Sequence, residues 1–237
     1  MKGLVDTTIM FSLREAAVLS RLPEDRARRE VERKVIEPKM ASAGSARRLL
    51  FAEPEVLFFA MLNSLAGTVE LTPPARTKAW RLLTAWEPVS LNRIKITPAD
   101  RRLFDKARLK AWTTVHRDPH FRSEWVARLN REWSKSINAV FTVSWDALIE
   151  DVGPRIDLYR EGLKRIHEDE EVLGGEAAFK GTRLAVRHIG GMRAKGEPVE
   201  RIVEDYPELT PDDVEFARLY TEAHPLLGRP KAGTATA

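Results

Sequence analysis

Cysteine is absent from the 237 residues. That removes disulfides, thiolate metal sites and thiol nucleophiles together, and it fits a chain kept in reducing cytosol. Long apolar runs are missing as well: the longest, Val56 to Leu62, is far shorter than the roughly 20 residues a spanning helix needs. Asp6 also interrupts the apolar stretch that a signal peptide would require. A cytoplasmic location without membrane association is therefore expected. Histidine is scarce. His116 and His120 stand four apart with Asp118 between them, the spacing by which two imidazoles share one helix face on a metal. Pro119 argues against that helix and no third ligand stands at a recognised spacing, so a surface turn is expected and no metal site.

The remaining chemistry-bearing patterns are thin. His167, beside Glu168, Asp169 and Glu171, reads as a solvated helix end. Gly174-Gly175 and Lys180-Gly181-Thr182 lack the strand-to-helix spacing of a phosphate loop and carry lysine and glycine in the wrong order, so they read as turns. Within that hairpin Arg183 either caps or pairs inside its module or presents a protein contact. No Ser/His/Asp order and no paired-carboxylate pocket stands out. The chain is expected to be no enzyme and to need no cofactor.

What the chain does have is ordinary globular composition, 43% hydrophobic and 31% charged, which argues for folded domains and against disorder throughout. Its length suits two modest domains or three. The net charge of +4 matters less than its distribution. From Arg21 to Arg48 nine Lys/Arg face five Asp/Glu, whereas from Arg160 to His224 ten face fifteen. One end suits a polyanion and the other does not.

Four regions follow: 1–70, 71–150, 151–224 and a flexible tail, 225–237. In the first, Ser12 with Glu15 has capping-box spacing, and Leu13, Ala16, Ala17 and Leu19 give the helix its apolar side. Leu22-Pro23 turns the chain, with Pro23 in the first turn of a second helix on which Ala27, Val31 and Val35 form a buried stripe. Arg26, Arg29 and Arg33 fall together on the opposite face, with Arg28 and Lys34 nearer its flanks. A helix anchored on one face and lined with arginine on the other is what a major-groove reader requires. The plainer alternative is a solvated charged face. Val35 to Pro38 and Arg48 to Phe51 then bracket the small residues Ala41 to Ala46 as two extended runs, with Arg47 and Arg48 at the base. An apolar helix begins near Pro54.

This order resembles the MerR-like winged helix-turn-helix over roughly residues 9–66, through Phe11-Ser12-Leu13-Arg14-Glu15-Ala16-Ala17 and Arg47-Arg48-Leu49-Leu50-Phe51. The expected DNA contacts are Arg26, Arg29, Arg33, Lys34, Arg47 and Arg48, with Arg29 reading base edges and Arg48 a phosphate.

Residues 71–150 hold Trp80, Trp86, Trp112, Trp125, Trp133 and Trp145 at helical spacings, read as core, with short strands at Val89 to Ile96 and Ala139 to Val143. A long helix is expected from Asp151 to about His167. Helices at Val186 to Lys195, Val199 to Tyr206 and Pro211 to Ala223 follow. The overall expectation is a mainly α fold with small β wings or hairpins, combining an N-terminal winged helix-turn-helix and a C-terminal three-helix, helix-turn-helix-like module.

Leu173-Gly174-Gly175, Phe179-Lys180-Gly181-Thr182-Arg183 and Glu204-Asp205-Tyr206-Pro207-Glu208-Leu209-Thr210 resemble, in order, family 433 of the domains of unknown function, over roughly residues 165–224. Glu170 and Ala177 depart from it where proline is common. That resemblance implies a helix-turn-helix-like module of the kind found in antitoxins beside PIN-domain ribonuclease toxins. With its N-terminal reader and its tail, the chain resembles a VapB-type antitoxin. The implied partners are its own promoter DNA and a PIN-domain toxin, the latter through Leu226, Leu227, Arg229 and Lys231 of the tail. A homodimer is expected, with the apolar helix Val56 to Leu65 and the helix Arg155 to His167 as candidate interfaces, intrachain core being the alternative. The competing functions are a MerR-like regulator with a small effector and no toxin, and a nucleic-acid scaffold.

Overall fold

The computed structural model describes residues 10–43, 46–84, 119–137, 141–171 and 173–225, with 39–48 described by backbone alone. The chain is mainly helical and divides into two compact units, Met1–Glu161 and Gly162–Ala237.

In the first unit α1 (Leu13–Ser20) starts at the expected capping box: Ser12 Oγ accepts from the Glu15 N–H at 3.3 Å, and the Glu15 carboxylate accepts from the Ser12 N–H at 2.6 Å. It stops at Arg21, whose φ of 58° is left-handed. α2 (Glu24–Glu32) follows, with Pro23 at the N-cap, one place before its expected position.

α2 is shorter than its periodicity suggested. The Lys34 N–H bonds the Val31 carbonyl at 2.9 Å and the Val35 N–H bonds the Glu30 carbonyl at 3.0 Å, the paired bonds of a Schellman ending. Lys34, at φ 55°, takes the left-handed place usually given to glycine. Val35 therefore leaves the helix, Val31 is only half-buried, and the covered face of α2 is Ala27 with Glu30.

Two antiparallel strands come next, β1 (Lys39–Ala43) and β2 (Ala46–Leu50), in register from Lys39 opposite Leu50 to Ala43 opposite Ala46. The first strand begins after the expected run Val35 to Pro38, because Val35 and Ile36 are buried side chains of the core. A bridge between Phe11 and Phe51, both fully buried, ties the end of this hairpin to the start of α1.

α3 (Glu53–Ser64) opens with Pro54 in its first turn, and the Glu55 carboxylate accepts from the Ala52 N–H at 2.9 Å. Val56 to Met61 are all buried within the chain, which explains a helix apolar on every side. α4 (Pro73–Thr84), α5 (Pro119–Ile137) and α6 (Trp145–Lys164) complete the unit's described helices. Trp145 meets Trp125 and Trp133 edge-on at 6.4 and 5.5 Å, and all three rings are buried, as expected of core. Phe141 to Val143 form no strand, and Val89 to Ile96 lie outside the described residues.

α6 begins at Trp145, six places before the expected Asp151, and carries Pro154 internally. Trp145 in its first turn packs on Trp125 and Trp133, which extends the helix toward the N-terminus. Three side chains of α6 tether the N-terminal elements. Arg155 donates to the Leu19 carbonyl at 2.6 Å, Tyr159 donates to Glu15 at 2.8 Å, and Arg160 forms a buried ion pair with Glu53. The two helices proposed as dimer faces thus bury much of these faces inside the chain, α3 along Val56 to Met61 and α6 along Arg155, Ile156, Tyr159 and Arg160.

In the second unit a two-residue strand pair, β3 (Ile166–His167) and β4 (Ala178–Phe179), stands before three helices, α7 (Val186–Ala194), α8 (Val199–Asp205) and α9 (Pro211–Ala223). These helices lie where their periodicity placed them. Thr210 and Asp213 cap α9 reciprocally, at 3.3 and 2.7 Å. α7 lies so close to α9 that a Cβ on Gly190 would fall 2.1 Å from Thr221 Oγ1 and 2.3 Å from the Ala217 carbonyl oxygen. Gly181, at φ 78°, makes the expected tight turn, and Arg183 beside it is exposed.

Candidate nucleic-acid interface

α2 carries four acids against three arginines between Glu24 and Glu32, so its own charge does not make it basic. The positive surface comes from where the side chains point. Arg26, Arg29, Arg33 and Lys34 are all exposed, whereas Glu30 is 3% exposed. Arg26 has no ion-pair partner among the described residues. Arg29 pairs with Asp25, one turn back, and Arg33 with Glu30 at 3.6 Å. The exposed Arg29–Asp25 pair contributes only a few tenths of a kcal/mol, roughly 0.3–0.5, so a phosphate can replace that carboxylate cheaply.

Behind the arginines lies a buried ion pair that the sequence did not announce. Arg76 of α4, 8% exposed, donates through Nη1 to Glu30 and through Nε to the Leu71 carbonyl at 2.9 Å, with Nη2 3.3 Å from the exposed Glu70. All three of its donor directions are used, so the guanidinium is fixed, and it fixes Glu30 and hence the rotation of α2. Arg26, Arg29 and Arg33 line a shallow open groove together with Leu62, residues of the α3–α4 connection and Arg76.

The junction between the first two helices is held by Glu24, which accepts from Arg14 Nε at 2.7 Å and from Arg28 at 2.7 Å. The Arg14 hydrogen bond, aided by Arg28 against partial burial, holds the Glu24 carboxyl below its ordinary range.

Arg47 and Arg48 lie on β2 opposite Ser42 and Ala41, so the hairpin contributes two cations to the same unit. Leu226, Leu227, Arg229 and Lys231 lie outside the described residues, as does His116. His120 stands exposed in the first turn of α5, 3.4 Å from Glu124, so Pro119 starts a helix here where a surface turn was expected. The residues that sequence reasoning missed are Glu30 and Arg76. Glu30 was legible in part, since it follows Ala27 by three and shares its buried flank. Arg76, 46 residues further on, gave no signal.

The second unit is electrostatically opposite. Residues 162–225 hold nine Lys/Arg and fourteen Asp/Glu, and α8 presents Glu200, Glu204 and Asp205 against Arg201. In a partly exposed cluster, Glu215 of α9 accepts from Arg193 of α7 at 2.7 Å and from Arg218 at 3.0 Å. Burial pushes this carboxyl up, but the two guanidiniums together outweigh it and hold the group below its ordinary range.

Among the described residues no helix is long and apolar enough to cross a membrane. The chain is similar to uncharacterized protein y4eO of Sinorhizobium fredii, with 29% identity over 105 residues, 44% of this chain and 47% of that protein. It thus spans about half the length of that relative. No solved structure matches. Residues 166–221 match the family described as protein of unknown function (DUF433), and the C-terminal part of the chain is a domain of that family.

Proposed function

We propose that this chain is the antitoxin of a type II toxin-antitoxin pair, binding its own promoter DNA through an N-terminal winged helix-turn-helix and neutralising a PIN-domain ribonuclease through its C-terminal half. The observation that carries the DNA part is one arrangement. α1, a turn at Arg21 to Pro23, α2 and the β1–β2 hairpin follow in order, with Arg26, Arg29, Arg33 and Lys34 exposed on α2 and its C-terminal cap, and with Arg47 and Arg48 in the sequence of β2. The tethers of Arg155 and Tyr159 to α1 and of Arg160 to α3, with Arg76 holding α2 through Glu30, support this reading, because a reader must hold its helix in one orientation on the duplex.

The acidic second unit is assigned to protein contact because its surface repels phosphate. The toxin itself is proposed from the resemblance to VapB-type antitoxins. In that role Leu226 and Leu227 dock in an apolar groove of the toxin, and Arg229 pairs with carboxylates of its metal-binding centre, aided by Lys231. The functional form is a homodimer on two half-sites.

The test uses the full chain with a duplex from its own upstream region and with the PIN-domain protein encoded beside it. Tight, salt-dependent binding to that duplex and loss of the ribonuclease's activity on mixing are expected. Removal of residues 226–237 should restore RNA cleavage while leaving DNA affinity unchanged. Absence of binding to the upstream duplex would sink the DNA reading, and an uninhibited nuclease would sink the antitoxin reading.

A further inference from the structure

Base edges are read by groups that project into a major groove about 12 Å wide. Arg26, Arg29 and Arg33, though exposed, line an open concavity together with Leu62, Leu65 and Val69. A concave surface receives a convex group, and the convex feature of a duplex is its sugar–phosphate backbone. Resting on the DNA-binding reading above, we infer that this groove is a phosphate-binding site that seats the DNA backbone, so that Arg26, Arg29 and Arg33 position α2 on the duplex instead of reading its bases.

The charges suit that ligand. Four guanidiniums, those of Arg26, Arg29, Arg33 and Arg76, line the groove against two carboxylates, Glu30 and Glu70. Arg76 neutralises the buried Glu30, while Glu70 is 84% exposed and screened by water. Arg26 and Arg29 of α2 and Arg33 at its C-cap are left to face an anion. Arg26 is already free of an ion pair among the described residues, Arg29 has only the exposed Asp25 to give up, and Arg33 stands 3.6 Å from the buried Glu30, whose closer partner is Arg76. Guanidinium forks match two phosphate oxygens at once. The leucines and Val69 exclude water from one side of the contact, which strengthens it.

The experiment measures affinity of the full chain for two duplexes of equal length, its own upstream region and an unrelated sequence, across a salt series, with inorganic pyrophosphate as a free-anion probe. Arg29→Ala and Arg33→Ala should weaken both duplexes by the same factor and lower the slope of log K against log salt by about 0.9 each. Glu70→Gln should tighten both. Because all three side chains are exposed, unchanged thermal unfolding is expected and confirms that the variants fold. A loss of preference between the duplexes of about tenfold or more with the slope unchanged would make Arg29 a base reader and overturn the inference. Wild-type-like duplex and pyrophosphate binding in both variants would overturn it too. If the wild type binds neither duplex but binds pyrophosphate in a manner lost in Arg29→Ala, the phosphate site stands as one for a free phosphorylated ligand and the DNA reading falls.

Discussion

Gly190 and Gly191 are neighbours on α7 with opposite requirements. A Cβ at Gly190 would enter the Ala217 backbone, which cannot move without displacing α9, whereas nothing lies within 4 Å of one at Gly191. Gly190→Ala is expected to destabilise the second unit by about 1–3 kcal/mol or more, as overpacking does. Gly191→Ala should stabilise it by roughly 0.5–1 kcal/mol through helix propensity and a restricted unfolded chain. Urea denaturation of the two variants checks the signs. Lys34 is the converse case, a lysine in the left-handed place of a Schellman ending. Lys34→Gly should raise the first unit's stability by up to about 1 kcal/mol. A lower melting temperature in that variant would show that the lysine side chain contributes contacts of its own.

Between elements, stability is held by ionic ties whose worth depends on burial. Arg160 of α6 and Glu53 of α3 are 8% and 6% exposed. Arg160→Ala would leave a carboxylate buried without its partner, at a cost of about 3–5 kcal/mol, while replacing both by Met and Leu should recover most of that loss. Chemical denaturation of the single and double variants measures the difference. The Glu215 tie between α7 and α9 is more exposed and shows itself through pH. Its folded pKa lies below the ordinary value, so its contribution is complete above the unfolded pKa and disappears as pH falls through the folded one. Glu215→Gln should therefore be less stable than the native chain at neutral pH and converge with it in acid. Parallel melting curves at every pH would show that Glu215 contributes nothing.

Across the chain the two units carry opposite charge, which suits the proposed division of labour, nucleic acid at one end and protein at the other. A homodimer remains the expected form on DNA. Its interface must use surfaces other than the buried faces of α3 and α6, since covering these already consumes their apolar side chains within one chain. Light scattering at micromolar concentration should return twice the 26.9 kDa of the chain, and a single-chain mass would remove the dimer.

Local signals placed most elements. Ser12 with Glu15 and Thr210 with Pro211 and Asp213 start helices because a side chain three residues away satisfies an orphan N–H, and that chemistry is written in adjacent residues. The C-terminal helices were legible for the same reason. Where elements end and which faces are covered was not. α2 stops at Glu32 although Val35 keeps its period, because the core takes Val35 and Ile36 from another direction. α6 starts early because Trp145 finds two tryptophans, one of them 20 residues before it. The arginines of α2 were visible as a stripe, but their position beside a groove depends on Arg76 reaching Glu30 from 46 residues away, a contact with no local signature. Periodicity reports which residues share a face; what that face meets is set by packing between segments far apart in the chain.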